Sequence, residues 1–331
     1  MKHSLFCLLV FLLACRNAFA GDFFVVGAIN GGVSRKEKVF FLKKGDSLRL
    51  YAVRKTLKGY AGSVPVFETK GRTQKISVSK YKRCPGWLRI EPILGEYNNL
   101  KKGGSIEPIR YRTEEIGKSD ELSFPLTDKE VSFGTCYFAI RGAVPAGKLE
   151  ETIPLQERYP FQVVQVVYRA DDSYLGYLTE LFGTPFVMAP KVTTGGFHEA
   201  ESRMGCDCAS FAVYGRRRQG YRLTYDGPRG IYRYLDELVA GPLYHRPYGE
   251  TEVYVEEDGK AVSTENIKPG DVIHFGEQVS VFFRDAGIPG VLDKDDELMQ
   301  CFGSTPIITT FAKSGFYGKP VRVFRWKETS K

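Results

Sequence analysis

Histidine is scarce in this sequence, with four residues among 331. Three of them, His198, His245 and His274, lie in the second half of the chain, and residues 21–150 contain none. Because histidine is the side chain whose ordinary pKa lies nearest neutral pH, the usual general base is missing from the first half. No other catalytic constellation is evident there, so the first half is expected to bind or position rather than to catalyse.

Long apolar runs are absent after residue 20. At the N-terminus, Lys2 precedes an apolar run that is too short to cross a bilayer as a helix. Ala18-Phe19-Ala20 then provides a small-x-small cleavage site, which predicts a signal peptide over residues 1–20. The mature protein is therefore expected to be exported to the periplasm or the extracellular space. Lipidation of Cys15 is an alternative, and it would tether the protein to a membrane.

Charge is unevenly distributed along the chain. The formal net charge is +8, and residues 21–150 hold 24 Lys and Arg against 14 Asp and Glu, or +10, whereas residues 151–331 hold 21 against 25, or −4. A basic exported domain is expected to attract an anionic partner, for which peptidoglycan or another anionic polymer of the cell envelope is the leading candidate. A merely solvated basic surface is the alternative, and nucleic acid is not expected as a partner.

Five cysteines remain after removal of the predicted signal peptide, and they are Cys84, Cys136, Cys206, Cys208 and Cys301. An oxidising compartment favours pairing, and an odd count leaves at least one free thiol. Cys84 and Cys136 are the natural pair within the first half. The sequence leaves open whether Cys206 and Cys301 pair with each other or remain free.

Short strand patterns dominate the first half, separated by turn residues. The predicted strands are Lys38–Leu42, Ser47–Val53, Lys75–Ser79, Trp87–Pro92, Glu121–Pro125 and Thr135–Arg141. This spacing predicts an antiparallel β-sandwich over residues 21–150, with a domain boundary in the Pro- and Gly-containing stretch that follows.

Residues 151–331 follow a different pattern, with helices first and strands afterwards. Helices are predicted at Tyr174–Leu181, from Cys208 to the glycine at position 220, and near Pro228–Val239. The predicted strands are Val272–Phe275, Gln278–Arg284, Glu297–Phe302 and Val321–Trp326. Together the two halves predict an α+β protein.

Cys208 stands at the expected start of a helix. Asp207 is a good N-cap, cations at positions 216–218 suit the last turn, and Gly220 can end the helix. The positive end of a helix dipole favours a thiolate, which is the reactive form of cysteine. A buried structural cysteine is the alternative interpretation.

Several segments of this half resemble the NlpC-type cell-wall peptidases, a papain-like cysteine peptidase family. The resemblance spans roughly residues 170–312 and rests on Gly183-Thr184-Pro185-Phe186, Asp207-Cys208-Ala209-Ser210-Phe211 and Pro269-Gly270-Asp271-Val272-Ile273-His274-Phe275. It implies a papain-like domain in which Cys208 is the nucleophile that cleaves amide bonds in peptidoglycan peptides through an acyl-enzyme.

Two positions depart from the family pattern. Gln278 stands where the family has its base histidine, and Gln300 or Cys301 stands where a third polar residue would orient that base. His274 is the best substitute base, with Gln278 orienting it or donating to the oxyanion. His198 and His245 are expected in exposed loops.

Alternative functions follow from the same residues. One is a catalytically inactive protein of this fold that binds the cell wall or has a structural role, and another is thiol redox chemistry through Cys206, Cys208 and Cys301. A zinc site made of these cysteines and His274 matches no common spacing. The acidic run Asp293 to Glu297 is expected to be a solvated turn, so no metal and no cofactor are expected.

Overall fold

A computed structural model describes residues 22–78, 86–94, 108–124, 133–144, 149–193, 195–249 and 251–328. Strands are far more frequent than helices in these residues, and they form several sheets. The predicted signal peptide, Cys15 and Cys84 lie outside the described residues, and so does the predicted pairing of Cys84 with Cys136. No described helix is both long enough and apolar enough to span a membrane.

The chain divides into two compact units, here called the first and the second unit. The first contains the described residues up to Ile93 and from 108 to Tyr168, and the second contains Leu94 and the described residues from Arg169 onward. The division lies later than the expected boundary after residue 150. The reason is a strand, Val163–Arg169, that pairs antiparallel with Gly134–Ile140 and so extends the first unit.

The first unit is built almost wholly of strands. In chain order they are β1 (Phe23–Ile29), β2 (Val39–Lys43), β3 (Leu48–Thr56), β4 (Gly59–Gly62), β5 (Val66–Thr69), β6 (Arg72–Ser77), β7 (Trp87–Pro92), β8 (Ile109–Gly117), β9 (Glu121–Phe124), β10 (Gly134–Ile140), β11 (Leu149–Glu151) and β12 (Val163–Arg169), with one short helix, α1 (Leu155–Arg158), before the last strand.

Two six-stranded sheets make up this unit. One has the order β1-β3-β4-β6-β5 with β9 also paired to β3, and the other has the order β11-β8-β7-β10-β12-β2. Alternating apolar residues of both sheets meet in one buried cluster, to which β1 and β3 contribute Val25 and Leu50, and β10 and β12 contribute Phe138 and Val164. Burial of this cluster is what holds the two sheets together.

The second unit begins with helices and continues with strands. Its helices are α2 (Tyr174–Leu178), which continues as one 3₁₀ turn (Thr179–Leu181), and α3 (Cys208–Arg218). Its strands are β13 (Leu235–Glu237), β14 (Tyr244–Tyr248), β15 (Thr251–Val255), β16 (Val272–His274), β17 (Val279–Arg284), β18 (Glu297–Gln300), β19 (Ile307–Thr310) and β20 (Arg322–Trp326). The helix predicted at Cys208 is confirmed.

One face of a six-stranded sheet receives α3. The sheet has the order β13-β20-β16-β17-β18-β19, and β14 pairs separately with β15. Because side chains alternate along a strand, Val279 and Val281 of β17 join the buried cluster that contains α3, whereas Phe282 joins a second cluster on the opposite face. This alternation decides which strand residues can approach Cys208.

The helix predicted near Pro228–Val239 is not formed. The chain there makes a 3₁₀ turn (Gly230–Tyr234) and then β13, which pairs antiparallel with β20 through Leu235 and Trp326. A strand partner far along the sequence supplies the backbone hydrogen bonds that a helix would have supplied locally, so tertiary pairing overrides the local pattern.

The acidic run is a solvated turn only in part, because Asp295 is exposed whereas two other aspartates are not. Asp293 and Asp296 are buried, and their carboxylates accept hydrogen bonds from backbone N–H groups. Asp296 accepts from Ala286 at 2.9 Å and from Asp293 at 3.0 Å. These aspartates therefore hold a loop together by satisfying its backbone donors, and they are not directed at solvent.

Candidate functional site

Cys208 is the first residue of α3, and the helix begins with a complete capping box. Asp207 Oδ1 accepts from the Ser210 N–H at 2.7 Å, and Ser210 Oγ accepts from the Asp207 N–H at 2.9 Å. The second carboxylate oxygen, Asp207 Oδ2, accepts from the Ala189 N–H at 3.1 Å. These local bonds fix the start of the helix, and with it the position of the Cys208 sulfur.

The Cys208 thiol is enclosed by the protein. The residue is 6% exposed and belongs to the apolar cluster between α3 and the sheet. Burial, followed by the neighbouring Asp207 carboxylate, raises the pKa of Cys208 to about 12, although backbone hydrogen bonds from Val279 and from the helix start oppose the shift. Burial thus outweighs the helix dipole, and the sulfur is a protonated thiol near neutral pH.

His274 is the last residue of β16 and lies opposite Val279 in the antiparallel pair. Its Nδ1 accepts from the Gly276 N–H at 3.0 Å and lies 3.0 Å from the Tyr232 hydroxyl. Its Nε2 lies 2.9 Å from the Pro228 carbonyl oxygen, so the hydrogen-bond network assigns the ring proton to Nε2. Both ring nitrogens are therefore occupied by partners other than Cys208.

The reason for this arrangement is the turn after β16. The Phe275 N–H donates to the Gln278 carbonyl, and Gly276 within that turn has a φ of 91°, which glycine adopts without strain. The turn directs the Gly276 N–H toward the His274 ring, and this ring stacks on the ring of Tyr232. Burial is the main cause that lowers the pKa of His274. Among the described hydrogen bonds, none joins Cys208 to a histidine.

The two glutamines identified from the sequence are bound to partners other than Cys208. Gln278 is buried, and its Nε2 donates to the Val279 carbonyl at 3.0 Å. Gln300 accepts from Ser280 Oγ at 3.2 Å and donates to the Ser314 carbonyl at 3.0 Å. Ser280 alternates with Val279 and Val281, so the Ser280–Gln300 pair lies on the sheet face away from α3.

The remaining histidines lie elsewhere in the second unit. His198 stacks on Tyr225 at 4.0 Å between ring centroids, and the Tyr225 hydroxyl donates to Glu201, which also binds Arg217 of α3. Arg217 is nine residues beyond Cys208, which is about 13 Å along a helix axis. His245 lies in β14 and contacts the Tyr317 ring.

Cys206 and Cys301 come together beside the start of α3. Their sulfur atoms are 3.4 Å apart, and Cys301 Sγ lies 3.1 Å from the Cys206 carbonyl oxygen. Both residues are fully buried, and both belong to the same apolar cluster as Cys208. The sequence left their pairing open because 95 positions separate them.

A second candidate site lies in the first unit and was not identified from the sequence. A cavity of about 830 Å³ opens beside the turn between β3 and β4. Its lining residues are mainly cationic and polar, and they are Asp22, Arg54, Lys55, Thr56, Leu57, Lys58, Tyr60, Ala61 and Ser77. The available signal was the cluster of three cations within residues 54–58 of a basic half.

No metal centre is present in the part of the chain that the structure describes, where no group of three or more His, Cys, Asp or Glu side chains could hold an ion. Cys206, Cys208 and Cys301 are close together, but His274 is bound to Gly276 and Pro228 and does not complete a zinc site with them.

Comparison with known proteins gives little further information. No family model and no curated protein matches this chain. Among solved structures, a crystal structure of an NlpC/P60 family protein from Bacillus cereus ATCC 10987 is similar at a TM-score of 0.25 and 10% identity, over 86% of this chain and 77% of that chain. This likeness is weak and does not assign the chain to the family.

Proposed function

We propose that this is an exported binding protein that does not hydrolyse its ligand, and that its first unit holds an anionic polymer of the cell envelope, with peptidoglycan as the leading candidate. The observation that carries the proposal is the cavity of about 830 Å³ lined by Arg54, Lys55 and Lys58. Its volume suits a segment of a polymer rather than a single ion.

The charge around the cavity favours an anionic ligand. Among the described lining residues Asp22 alone is acidic, and it lies 3.4 Å from Arg54, so Lys55 and Lys58 supply a net positive charge. Lys36, whose ammonium lies 4.2 Å from the Phe24 ring centroid, has a pKa lowered by burial and then by Lys55. The carboxylates of peptidoglycan peptides would meet a positive field in this cavity.

The thiol site of the second unit supports the non-hydrolytic part of the proposal. A cysteine hydrolase needs a thiolate and a base that takes its proton. Here the pKa of Cys208 is raised to about 12, and the lone pair on His274 Nδ1 already accepts from Gly276. The helix and its cap are present, but the proton acceptor is engaged elsewhere.

A cysteine hydrolase of NlpC type is the second candidate, and the capped position of Cys208 at the start of α3 favours it. In that mechanism His274 would have to leave Gly276 and Pro228 and take the thiol proton. Cys208 would then attack the amide carbon, and Gln278 would orient the base or donate to the oxyanion. Water would release the acyl group.

Binding is tested by sedimentation of the mature protein with purified peptidoglycan. Replacing both Lys55 and Lys58 by Glu is expected to weaken binding at least about tenfold, which corresponds to about 1.4 kcal/mol. The matched control replaces Lys44 and Lys75, which are exposed in the same unit outside the cavity, and has the same change in net charge. Equal loss in both double variants would mean that only overall charge matters and would contradict the cavity site.

Hydrolysis is tested separately, through the release of free amines from the same peptidoglycan. We expect no release by the mature protein at pH 7 and no difference between it and the Cys208→Ala variant. Release that the wild-type protein supports and Cys208→Ala abolishes would overturn the non-hydrolytic proposal and establish the second candidate.

A further inference from the structure

Three thiols lie in one apolar cluster of the second unit, but they have different partners. The Cys206 and Cys301 sulfurs contact each other at 3.4 Å, whereas no hydrogen bond among the described residues joins the Cys208 sulfur to either of them. Thr184 Oγ1 is a further neighbour of Cys206, at 3.9 Å. The geometry therefore singles out one pair among the three possible pairs.

Regular secondary structure and backbone contacts next to each cysteine fix the positions of both members of this pair. Cys206 forms a bridge with Phe186, where its N–H donates to the Pro185 carbonyl, and α3 begins two residues later. Cys301 follows directly after β18, and its sulfur also lies near the Ser304 carbonyl, at 3.7 Å. A disulfide bond is about 2 Å long, so closing the present gap takes a shift of about 1.4 Å.

We propose that Cys206 and Cys301 form an intramolecular disulfide in the exported protein and that Cys208 stays a free thiol. The oxidant is a disulfide of the oxidising compartment, either a small molecule such as oxidised glutathione or a thiol–disulfide oxidoreductase. This proposal does not depend on the ligand of the first unit.

The chemistry is thiol–disulfide exchange in two steps. The Cys206 thiolate attacks one sulfur of the oxidant, and its disulfide breaks to give a mixed disulfide and one thiolate, which takes up the proton lost by Cys206. The Cys301 thiolate then attacks the Cys206 sulfur of the mixed disulfide, and the second oxidant sulfur leaves and takes up the remaining proton. Two protein thiols become one disulfide, and the oxidant is reduced to two thiols.

The burial of the pair indicates when the bond forms. Both cysteines have no exposed surface, and burial, together with the Cys206 thiol, raises the pKa of Cys301. A protonated and inaccessible thiol exchanges slowly. The bond is therefore expected to form while the chain folds, and protein that has folded in the reduced state is expected to resist later oxidation.

Peptide mapping tests the pairing directly. The mature protein is refolded with oxidised glutathione, its remaining thiols are alkylated under denaturing conditions, and it is digested without reductant. We expect a cross-linked peptide pair containing Cys206 and Cys301, with Cys208 alkylated. Recovery of Cys206 and Cys301 as alkylated thiols, or as partners of another cysteine, would overturn the proposal.

Thermal unfolding supplies a second measurement. A disulfide closing a loop of this length is expected to raise the melting temperature by on the order of 10 °C, and reductant should remove that gain. The fall in melting temperature that comes from reducing this disulfide should be absent in Cys206→Ser and present in the matched variant Cys208→Ser. If Cys208→Ser lost the effect and Cys206→Ser kept it, the cross-link would involve Cys208 instead, and the proposal would fail.

Discussion

The cavity of the first unit and the thiol site of the second unit differ in what a ligand can reach. The cavity is open and lined by cations, and Leu57 at its edge is fully exposed. Cys208 and His274 are 6% and 1% exposed, and both ring nitrogens of His274 have hydrogen-bond partners within the protein. The region that resembles an active site in sequence is thus the enclosed one.

This difference shows that a residue of a reactive type can act only where a ligand can reach it and where its polar atoms are not already hydrogen-bonded within the protein. In the second unit, the polar groups near α3 form hydrogen bonds with one another, and these bonds stabilise the fold. In the first unit, Lys55 and Lys58 are directed at solvent, where their charge is available to a partner. Substitutions at four positions, with matched controls, test this contrast, beginning with the one expected to have the largest effect.

The largest effect is expected from Glu180, a fully buried carboxylate of the second unit. It accepts from Arg218 Nε at 2.8 Å, from the Tyr214 hydroxyl at 2.5 Å and from Arg169 Nη1 at 3.3 Å. Glu180→Ala leaves two half-buried arginines and the buried Tyr214 hydroxyl without this partner, so the free energy of unfolding should fall by about 3–5 kcal/mol in a urea titration.

The matched control for this prediction is Glu277→Ala. Glu277 pairs with Arg229 at the surface of the same unit, and it is 73% exposed. Its removal should change stability by less than about 0.5 kcal/mol. Equal effects of the two substitutions would contradict the interpretation that polar groups of the second unit are enclosed by the protein.

A smaller effect is expected from Asp207, which caps α3. Asp207→Ala removes the acceptor of the Ser210 and Ala189 N–H groups and should cost about 1–2 kcal/mol in the same titration. Asp207→Asn keeps an acceptor and removes the charge, so it should cost less.

The same pair of variants also tests the cause of the Cys208 pKa. Because the Asp207 carboxylate contributes to the raised pKa of Cys208, the Cys208 thiol should be alkylated faster in Asp207→Asn than in the wild-type protein. Mass spectrometry of the alkylated peptide measures this rate. An unchanged rate would mean that burial alone controls the thiol.

The third prediction concerns pH. Burial lowers the pKa of His274 below its ordinary value of 6.5, so the unfolded state binds more protons than the folded state. Stability should therefore be fully present above about pH 6.5 and should fall as the pH drops through 6.5 towards the lower folded pKa, at no more than about 1.4 kcal/mol per pH unit.

His274→Asn measures this contribution. His198 is also buried enough to have a lowered pKa, and it remains in both proteins, so the informative quantity is the difference between wild type and variant. Urea titrations at pH 7.5 and 5.5 should show a smaller acid loss in the variant. An identical loss would mean that His274 is not held neutral by its surroundings.

The smallest effect is expected from Asp22, the acidic residue in the cavity of the first unit. Asp22→Asn should strengthen sedimentation with peptidoglycan by about twofold, because it removes a partly screened negative charge. Glu150→Gln, which changes an exposed partner of Arg110 outside the cavity, is the control. Weaker binding by Asp22→Asn than by this control would count against a cationic binding site.

Local patterns predicted much of the secondary structure. The strands at Trp87–Pro92 and Glu121–Phe124 and the helix at Cys208 were recognisable because alternation and capping are properties of neighbouring residues. The strand Val163–Arg169 and the strand that replaced the third helix were missed, since each depends on pairing with residues far away in the chain.

The candidate site was predictable only in part. The sequence indicated that Cys208 begins a helix, but it also suggested a reactive thiolate and His274 as its substitute base. The pKa of the thiol depends on burial against the sheet, and the histidine partners Pro228 and Tyr232 are more than forty positions away. Neither could be read from neighbouring residues.

By itself, the sequence determined the start of α3 and the concentration of basic residues in the first half, because capping and charge count are local or additive properties. Only the tertiary structure decided that Cys208 is enclosed and that the ring nitrogens of His274 already have hydrogen-bond partners. It also decided that the Cys206 and Cys301 sulfurs lie in contact and that three cations line an open cavity. Each of these follows from which distant segments share a surface, and solvation and hydrogen bonding then set the chemistry of the side chains between them.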